Sequence, residues 1–108
     1  MRRARVGELN LRFAIERPVD AADDIGGASR TWASVATVWG RLETLGGEAA
    51  FIAQRPETQA SHRIVIRWRA DVTVAMRLRL GARVFVINAA TDPDGRRRFL
   101  RLQCDEIA

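Results

Sequence analysis

Apolar and polar residues alternate with a period of two along most of the chain, and this pattern predicts strands rather than helices. Residues rich in Gly, Pro and Asp separate the alternating segments and are typical of turns. The predicted strands are Leu11–Ile15, Thr31–Leu45, His62–Trp68, Met76–Leu80, Arg83–Ala90 and Arg97–Glu106. Six short strands with such turns indicate an all-β domain over residues 1–108, built as a small β-barrel or β-sandwich.

Two stretches depart from this regular pattern. The segment from Arg17 to Arg30 contains Pro, Asp and Gly residues, and we expect it to be a loop. The predicted second strand is apolar on both faces, and Gly40 within it suggests a bulge or a bend. After it, helix-forming residues lie between Gly46-Gly47 and Pro56, which predicts a short helical or loop insertion before the third strand.

Arginine occupies the polar positions of the third and fourth predicted strands. All 18 basic residues of the chain are arginine, and the formal net charge is +5. Such a balance favours polyanions or acidic partner surfaces. The outward basic candidates are Arg63, Arg67, Arg69, Arg77, Arg79 and, after the last turn, Arg96, Arg97 and Arg98.

The sequence contains no recognisable catalytic or cofactor motif, so we expect a protein that is not an enzyme and binds no cofactor or metal. The single histidine, His62, and the single cysteine, Cys104, lie in no known motif, although the two residues are a conceivable dyad. One cysteine forms no internal disulfide. We expect no signal peptide, because charged residues interrupt the segment after the basic start, and no stretch is apolar enough for a membrane span.

A free-standing nucleic-acid-binding barrel is the alternative from another class. Aromatic residues beside arginines are what such a surface needs. Trp68 falls on the apolar parity, whereas Phe99 shares a parity with Arg97 and Arg101. Phe99 is therefore the best candidate for stacking on a base, and covering part of a subunit contact is an equally good interpretation.

Several ordered motifs resemble the head completion (head-tail joining, stopper or connector) proteins of tailed bacteriophages. The segment "LRFAIERP" is similar to the family's first strand, and "DDIGG" to its following loop. Further matches are Trp32, Val38, Trp39, Leu42, Leu45, Gly47, Glu48, Ala53, Gln54, His62, Ile64, Ile66, Arg67, Arg77, Leu78, Arg83, Phe85, Ile87, Arg98, Leu100, Leu102 and Cys104. Trp68, where the family has tyrosine, is a departure. The lysine-free composition also resembles gene transfer agent particles.

The resemblance implies a structural subunit in a homo-oligomeric ring of six, or twelve, copies at the neck of a phage-like particle. Such a ring sits between the portal or adaptor above and the tail terminator or tail tube below, and double-stranded DNA passes through it without sequence specificity. An adjacent tail terminator component with a similar barrel is a further alternative. The implied place is a particle neck assembled in the bacterial cytoplasm, with no membrane.

The resemblance also assigns roles to two groups of residues. The insertion Gly46–Gln59 gates the DNA channel, contacts the adjoining ring or only docks on the barrel. Its candidate residues are Gly46, Gly47, Glu48, Phe51, Gln54 and Arg55, and the last four of these are expected to project. Acidic candidates for subunit contacts are Asp20, Asp23 and Asp24. The outward arginines then face such acids or the DNA. We favour subunit contacts for most of them, because each phosphate contact adds salt-dependent affinity and would hinder sliding DNA.

Overall fold

The computed structural model of the protein describes residues 8–22, 26–44 and 60–107. Its strands are β1 Leu11–Ala22, β2 Ala28–Thr44, β3 Ala60–Arg67, β4 Arg77–Leu80, β5 Arg83–Thr91 and β6 Phe99–Ile107. They form one closed antiparallel barrel in the order β1-β2-β3-β6-β5-β4. The predicted six-stranded all-β fold is confirmed, with a barrel as its architecture.

The barrel interior is filled by the apolar parity of the strands. Successive side chains of a strand point to opposite faces, so one alternating set turns inward. The fully buried large residues are Phe13, Ile15, Ile64, Ile66, Leu78, Phe85, Ile87, Leu102 and Cys104. Trp68 and Met76 pack against this core while partly exposed. The predicted inward positions of β3, β4 and β6 are therefore confirmed.

Gly40 lies in β2 without a bulge of its own, so a bulge is not the reason for this glycine. The β1–β2 register shifts instead between Ile15 and Glu16, opposite the middle of β2. Gly40 is needed for close packing: a Cβ atom there would meet Cδ2 and Cε2 of Phe13 at 2.9 Å. The fully buried ring of Phe13 occupies the space that a side chain would fill.

β1 and β2 continue beyond the barrel as a two-stranded ribbon, which corrects the loop predicted for Arg17–Arg30. Residues 17–22 of β1 pair with residues 28–33 of β2, whereas β4 pairs with β1 only as far as Glu16. We call this ribbon the hairpin arm. Proline lacks an N–H donor and is tolerated at an edge, and Pro18 lies where β1 has a free edge.

A small apolar cluster lies on the outside of the barrel. Leu9, Val65 and Phe99 pack together there. Glu8 accepts a hydrogen bond from Arg41 at 2.7 Å, which holds the segment before β1 against β2. Phe99 is only 9% exposed, so it presents no open ring to a base, and its prediction as a stacking candidate was wrong.

Candidate functional site

Ion pairs within the chain occupy most arginines of the β3–β4 region. The pairs are Arg63–Glu43 (3.5 Å), Arg69–Asp71 (2.9 Å), Arg77–Glu16 (2.6 Å) and Arg79–Glu16 (3.8 Å). The hydrogen bond from Arg69 lowers the pKa of the Asp71 carboxyl. These four arginines have intramolecular partners, so a contact of theirs with DNA or another subunit would compete with a pair already made.

The acidic candidate that the structure describes is also paired. Asp20, in the hairpin arm, accepts hydrogen bonds from Arg30 across the ribbon, at 2.8 Å from Nε and 3.3 Å from Nη2. Arg30 lowers the pKa of this carboxyl. Asp23 and Asp24 lie outside the described residues, as do Gly46, Gly47, Glu48, Phe51, Gln54, Arg55 and the rest of the insertion to Gln59.

Five exposed arginines make no ion pair with any carboxylate in the described ranges. They are Arg12, Arg17, Arg67, Arg96 and Arg97. Three of them belong to the basic set predicted from the sequence, namely Arg67, Arg96 and Arg97. The structure thus divides that set into paired and unpaired members, and Arg98 joins the paired group through Asp94.

Three of the unpaired arginines lie with two tryptophans on neighbouring parts of β1, β2 and β3 and on the turn before β6. The Arg12 guanidinium lies 5.2 Å from the centre of the Trp39 ring, and Trp39 is 51% exposed. Gly40 of β2 pairs with Ile66 of the antiparallel strand β3. Trp39, which precedes Gly40, and Arg67, which follows Ile66, therefore lie side by side. We call Arg12, Trp39, Arg67, Trp68 and Arg97 the arginine–tryptophan face.

Arg67, Trp68 and Arg97 line a shallow depression of about 330 Å³, together with Arg98 and Phe99. The Arg97 guanidinium lies 5.4 Å from the centre of the Trp68 ring. Trp68 donates its backbone N–H to the carbonyl of Arg98 at 3.0 Å, which fixes the chain on both sides of the depression. Cationic and aromatic groups therefore meet in one concave surface.

The turn before β6 positions Arg97 by hydrogen bonds to two aspartates. The Asp92 carboxylate accepts bonds from the backbone N–H groups of Gly95 and Arg97, at 3.1 and 2.9 Å. Asp94 accepts one from the N–H of Arg96 at 3.0 Å. Arg97 has a φ of 56°, the left-handed region in which non-glycine residues are uncommon. The turn therefore holds Arg97 in a conformation that a free chain seldom adopts.

The end of the barrel next to the insertion carries a connected set of polar side chains. Thr44 Oγ1 lies 3.2 Å from Nδ1 of His62, whose Nε2 lies 3.0 Å from Oε1 of Glu106. Glu106 also accepts two hydrogen bonds from Arg83, at 2.7 and 2.8 Å. His62 is 2% exposed. These bonds join β2, β3, β5 and β6 where the chain leaves for the insertion and returns from it.

This polar set resembles the order of a hydroxyl–imidazole–carboxylate triad, but its contacts favour a structural role. Both ring nitrogens of His62 are engaged, and Arg83 already occupies the carboxylate. Cys104 is the cross-strand partner of His62, yet neither imidazole nitrogen bonds to its sulfur. Burial raises the pKa of the Cys104 thiol to about 12, so the thiol is unreactive near neutral pH.

The Glu106 pairs make stability depend on acid pH. The hydrogen bond from Arg83 holds the pKa of Glu106 below its ordinary value of 4.5 in the folded chain. The unfolded chain therefore binds more protons there, and the contribution of Glu106 is lost as pH falls from 4.5 through the folded pKa. We expect the urea midpoint of Glu106→Gln to depend less on pH than wild type between about pH 5 and 3. Val74→Ala, which changes an exposed side chain without a titrating group, is the control and should keep the wild-type slope; equal slopes in Glu106→Gln and wild type would contradict this prediction.

In the described ranges, no group of three or more His, Cys, Asp or Glu residues is placed to hold a metal ion. Within the same ranges, no helix has the length and hydrophobicity that crossing a membrane requires.

The sequence pattern missed the pairing of tryptophans with arginines. Arg12 and Trp39 are cross-strand partners on the outer face of β1 and β2. The available signal was that Arg12 and Trp39 both fall on outward positions of their strands. This signal identifies the two residues as neighbours only once the register of β1 against β2 is known. Trp32 carries a third such contact, with the Arg77 guanidinium 4.1 Å from its ring centre.

Comparisons with known proteins agree with this fold along nearly the whole chain. A family described as phage head completion protein matches residues 4–107. The solution structure of protein SF1141 from Shigella flexneri 2a is 27% identical, with a TM-score of 0.73, and the match covers 97% of this chain and 98% of that one. A chain from the virion of a native gene transfer agent particle is 28% identical, with a TM-score of 0.65 and the same coverage. No curated protein matches the sequence significantly.

Proposed function

The chain belongs to the phage head completion protein family, and we propose that it is a subunit of the ring that joins the capsid portal or adaptor to the tail. A structural role in a phage or phage-like particle follows from the family. The observation that carries the finer proposal is the similarity to a chain of a gene transfer agent virion over 97% of this chain. We place the ring at the particle neck, after assembly in the bacterial cytoplasm.

The proposed ring contains six or twelve copies, and double-stranded DNA passes through it. The hairpin arm is suited to contact a neighbouring copy, because it extends beyond the barrel and its residues 20–22 and 29–31 are exposed. A lone two-stranded ribbon is marginally stable in water, so packing against a neighbour would stabilise it. The arginines of β3 and β4 that pair with carboxylates of their own chain are less available for such a contact. The hairpin arm is therefore the better candidate for the contact between copies.

We further propose that the insertion Gly46–Gln59 faces the channel or the adjoining ring. The polar set of Thr44, His62, Glu106 and Arg83 supports this role, because it joins the strands that precede and follow the insertion in the chain. A firm base lets an inserted segment act on a partner without loosening the barrel. The proposal includes no catalytic step, because the Glu106 carboxylate is already bonded to both His62 and Arg83.

Cryo-electron microscopy of particles that contain this chain tests the proposal. We expect density for a ring of barrels between the portal region and the tail, with residues 46–59 directed to the axis or to the adjoining ring. Particles from a host with the gene deleted are the control, and they should lack the ring. An absence of the chain from the neck of complete particles would overturn the proposal and favour a tail terminator or a free nucleic-acid-binding barrel.

A further inference from the structure

We propose that the arginine–tryptophan face, Arg12, Trp39, Arg67, Trp68 and Arg97, binds the phosphate backbone of double-stranded DNA. The first reason is charge. Arg12, Arg67 and Arg97 are exposed and have no carboxylate partner in the described part of the chain, whereas most described arginines have one. Three uncompensated guanidinium groups on neighbouring strands of a small barrel attract a polyanion.

The second reason is the way in which the tryptophans hold the arginines. A guanidinium stacked on an aromatic ring keeps its N–H donors in its own plane, where they remain available for a phosphate. Arg12 lies over Trp39, and Arg97 lies over Trp68. The stacking limits the conformations of two long side chains before binding and so lowers the entropy lost on binding.

Arg77 on Trp32 provides an internal contrast to the face. Its guanidinium is stacked in the same manner, but it also pairs with Glu16 at 2.6 Å. The described part of the chain thus contains three contacts between an arginine guanidinium and a tryptophan ring, and a described carboxylate neutralises one of them. The two pairs without such a carboxylate are those that belong to the face.

The carboxylates of a second copy are poor partners for the face, since all those described are engaged within their own chain. They are Glu8, Glu16, Asp20, Glu43, Asp71, Asp92, Asp94, Asp105 and Glu106. Contact through them would break existing pairs. Among the described carboxylates, none of a second copy is therefore a favourable partner for the face, which supports an external polyanion.

The geometry also favours a duplex backbone over unpaired bases. A guanidinium lies over each tryptophan ring of the face, so one side of the ring already holds an arginine and is not open to a base. Arg12 on β1 and Arg67 on β3 are separated by β2, and neighbouring strands lie about 4.8 Å apart, so the two backbone positions are about 10 Å apart. One strand of a duplex carries about three phosphates over that length of axis. The choice of DNA among polyanions rests on the proposed function, in which DNA passes through the ring.

Residue-resolved NMR on the purified chain tests the inference, and the tryptophan side chains are its reporters. The probe is a 20-base-pair DNA duplex, in two unrelated sequences, titrated at 20 mM salt. We expect the indole N–H signals of Trp39 and Trp68 to shift with both duplexes, while that of Trp32 stays in place. Three phosphate contacts predict a loss of affinity of about 40-fold between 50 and 200 mM salt.

The variant for this test is Arg12→Ala/Arg67→Ala/Arg97→Asn, in which asparagine suits the left-handed backbone at position 97. We expect it to lose at least about tenfold in DNA affinity at low salt and to lower the salt slope by about 0.9 per arginine removed. Arg17→Ala removes an exposed, unpaired arginine five residues further along β1, and we expect its affinity to stay within about twofold of wild type. Thermal unfolding of each variant verifies that the barrel is intact.

Wild-type affinity in the triple variant, or equal shifts of all three indole signals, would overturn the inference. Normal DNA binding by a triple variant that no longer joins particles would identify the face as a protein interface and also overturn it. A separate result, absence of the chain from the neck in cryo-electron microscopy of particles, would overturn the proposed function. A chain that occupies the neck but binds DNA without this face therefore refutes only the inference.

Discussion

Replacing Phe85 by alanine is expected to lower the free energy of unfolding by about 3–5 kcal/mol, the usual cost of removing a buried phenylalanine. Phe85 is fully buried in β5. Its ring packs edge to face against the Phe13 ring and the His62 imidazole, with distances between ring centres of 6.3 and 5.2 Å. The substitution therefore leaves a cavity where the apolar core meets the polar set near the insertion.

Urea unfolding followed by tryptophan fluorescence measures this loss. Phe85→Leu retains most of the volume, and we expect it to cost clearly less than alanine. Val74→Ala is the surface control, because Val74 is 56% exposed, and its effect should stay within about 0.5 kcal/mol. A loss below about 1 kcal/mol for Phe85→Ala would mean that the barrel collapses around the cavity or that the ring is not central to the core.

Replacing Gly40 by alanine is the second large effect, and we expect a loss of about 1–3 kcal/mol from overpacking. The new Cβ would lie 2.9 Å from two carbon atoms of the Phe13 ring and 3.0 Å from the backbone carbonyl oxygen of Val65. Phe13 is fully buried and the carbonyl belongs to β3, so neither neighbour moves freely.

A double-mutant cycle with Phe13→Leu distinguishes this cause from a general loss of strand quality. Leucine removes the ring atoms that the new methyl group would meet. We therefore expect the double variant Gly40→Ala/Phe13→Leu to lose less stability than the two single losses added together. The urea midpoints of the four proteins provide the test, and strict additivity would contradict the packing explanation.

The inward positions of several strands were predictable because strand periodicity is a local property. Leu100, Leu102 and Cys104 in β6 alternate with Arg101 and Gln103, and all three are buried. Ile64 and Ile66 in β3 share one parity and are also buried, between Arg63 and Arg67 of the other parity. The hairpin arm was not predictable in the same way. Pro18 and the following aspartates and glycines are typical of a loop, yet a free strand edge accepts a proline.

Whether an arginine has a carboxylate partner depends on residues that are far apart in sequence. Arg77 pairs with Glu16, 61 residues away, and His62 bonds to Glu106, 44 residues away. Spacing along the chain contains no information about such partners before the register of the strands is known. For the same reason, the sequence treated Arg67 and Arg77 alike, although only Arg77 has a carboxylate beside it.

The amino-acid sequence by itself determined the class of fold, the number of strands and the motifs shared with head completion proteins, because alternation and turn chemistry act between residues close along the chain. Only the tertiary structure decided which arginines are neutralised and which stay free beside Trp39 and Trp68. Electrostatic pairing acts over a few ångströms in space, and barrel closure brings together residues that the sequence keeps far apart.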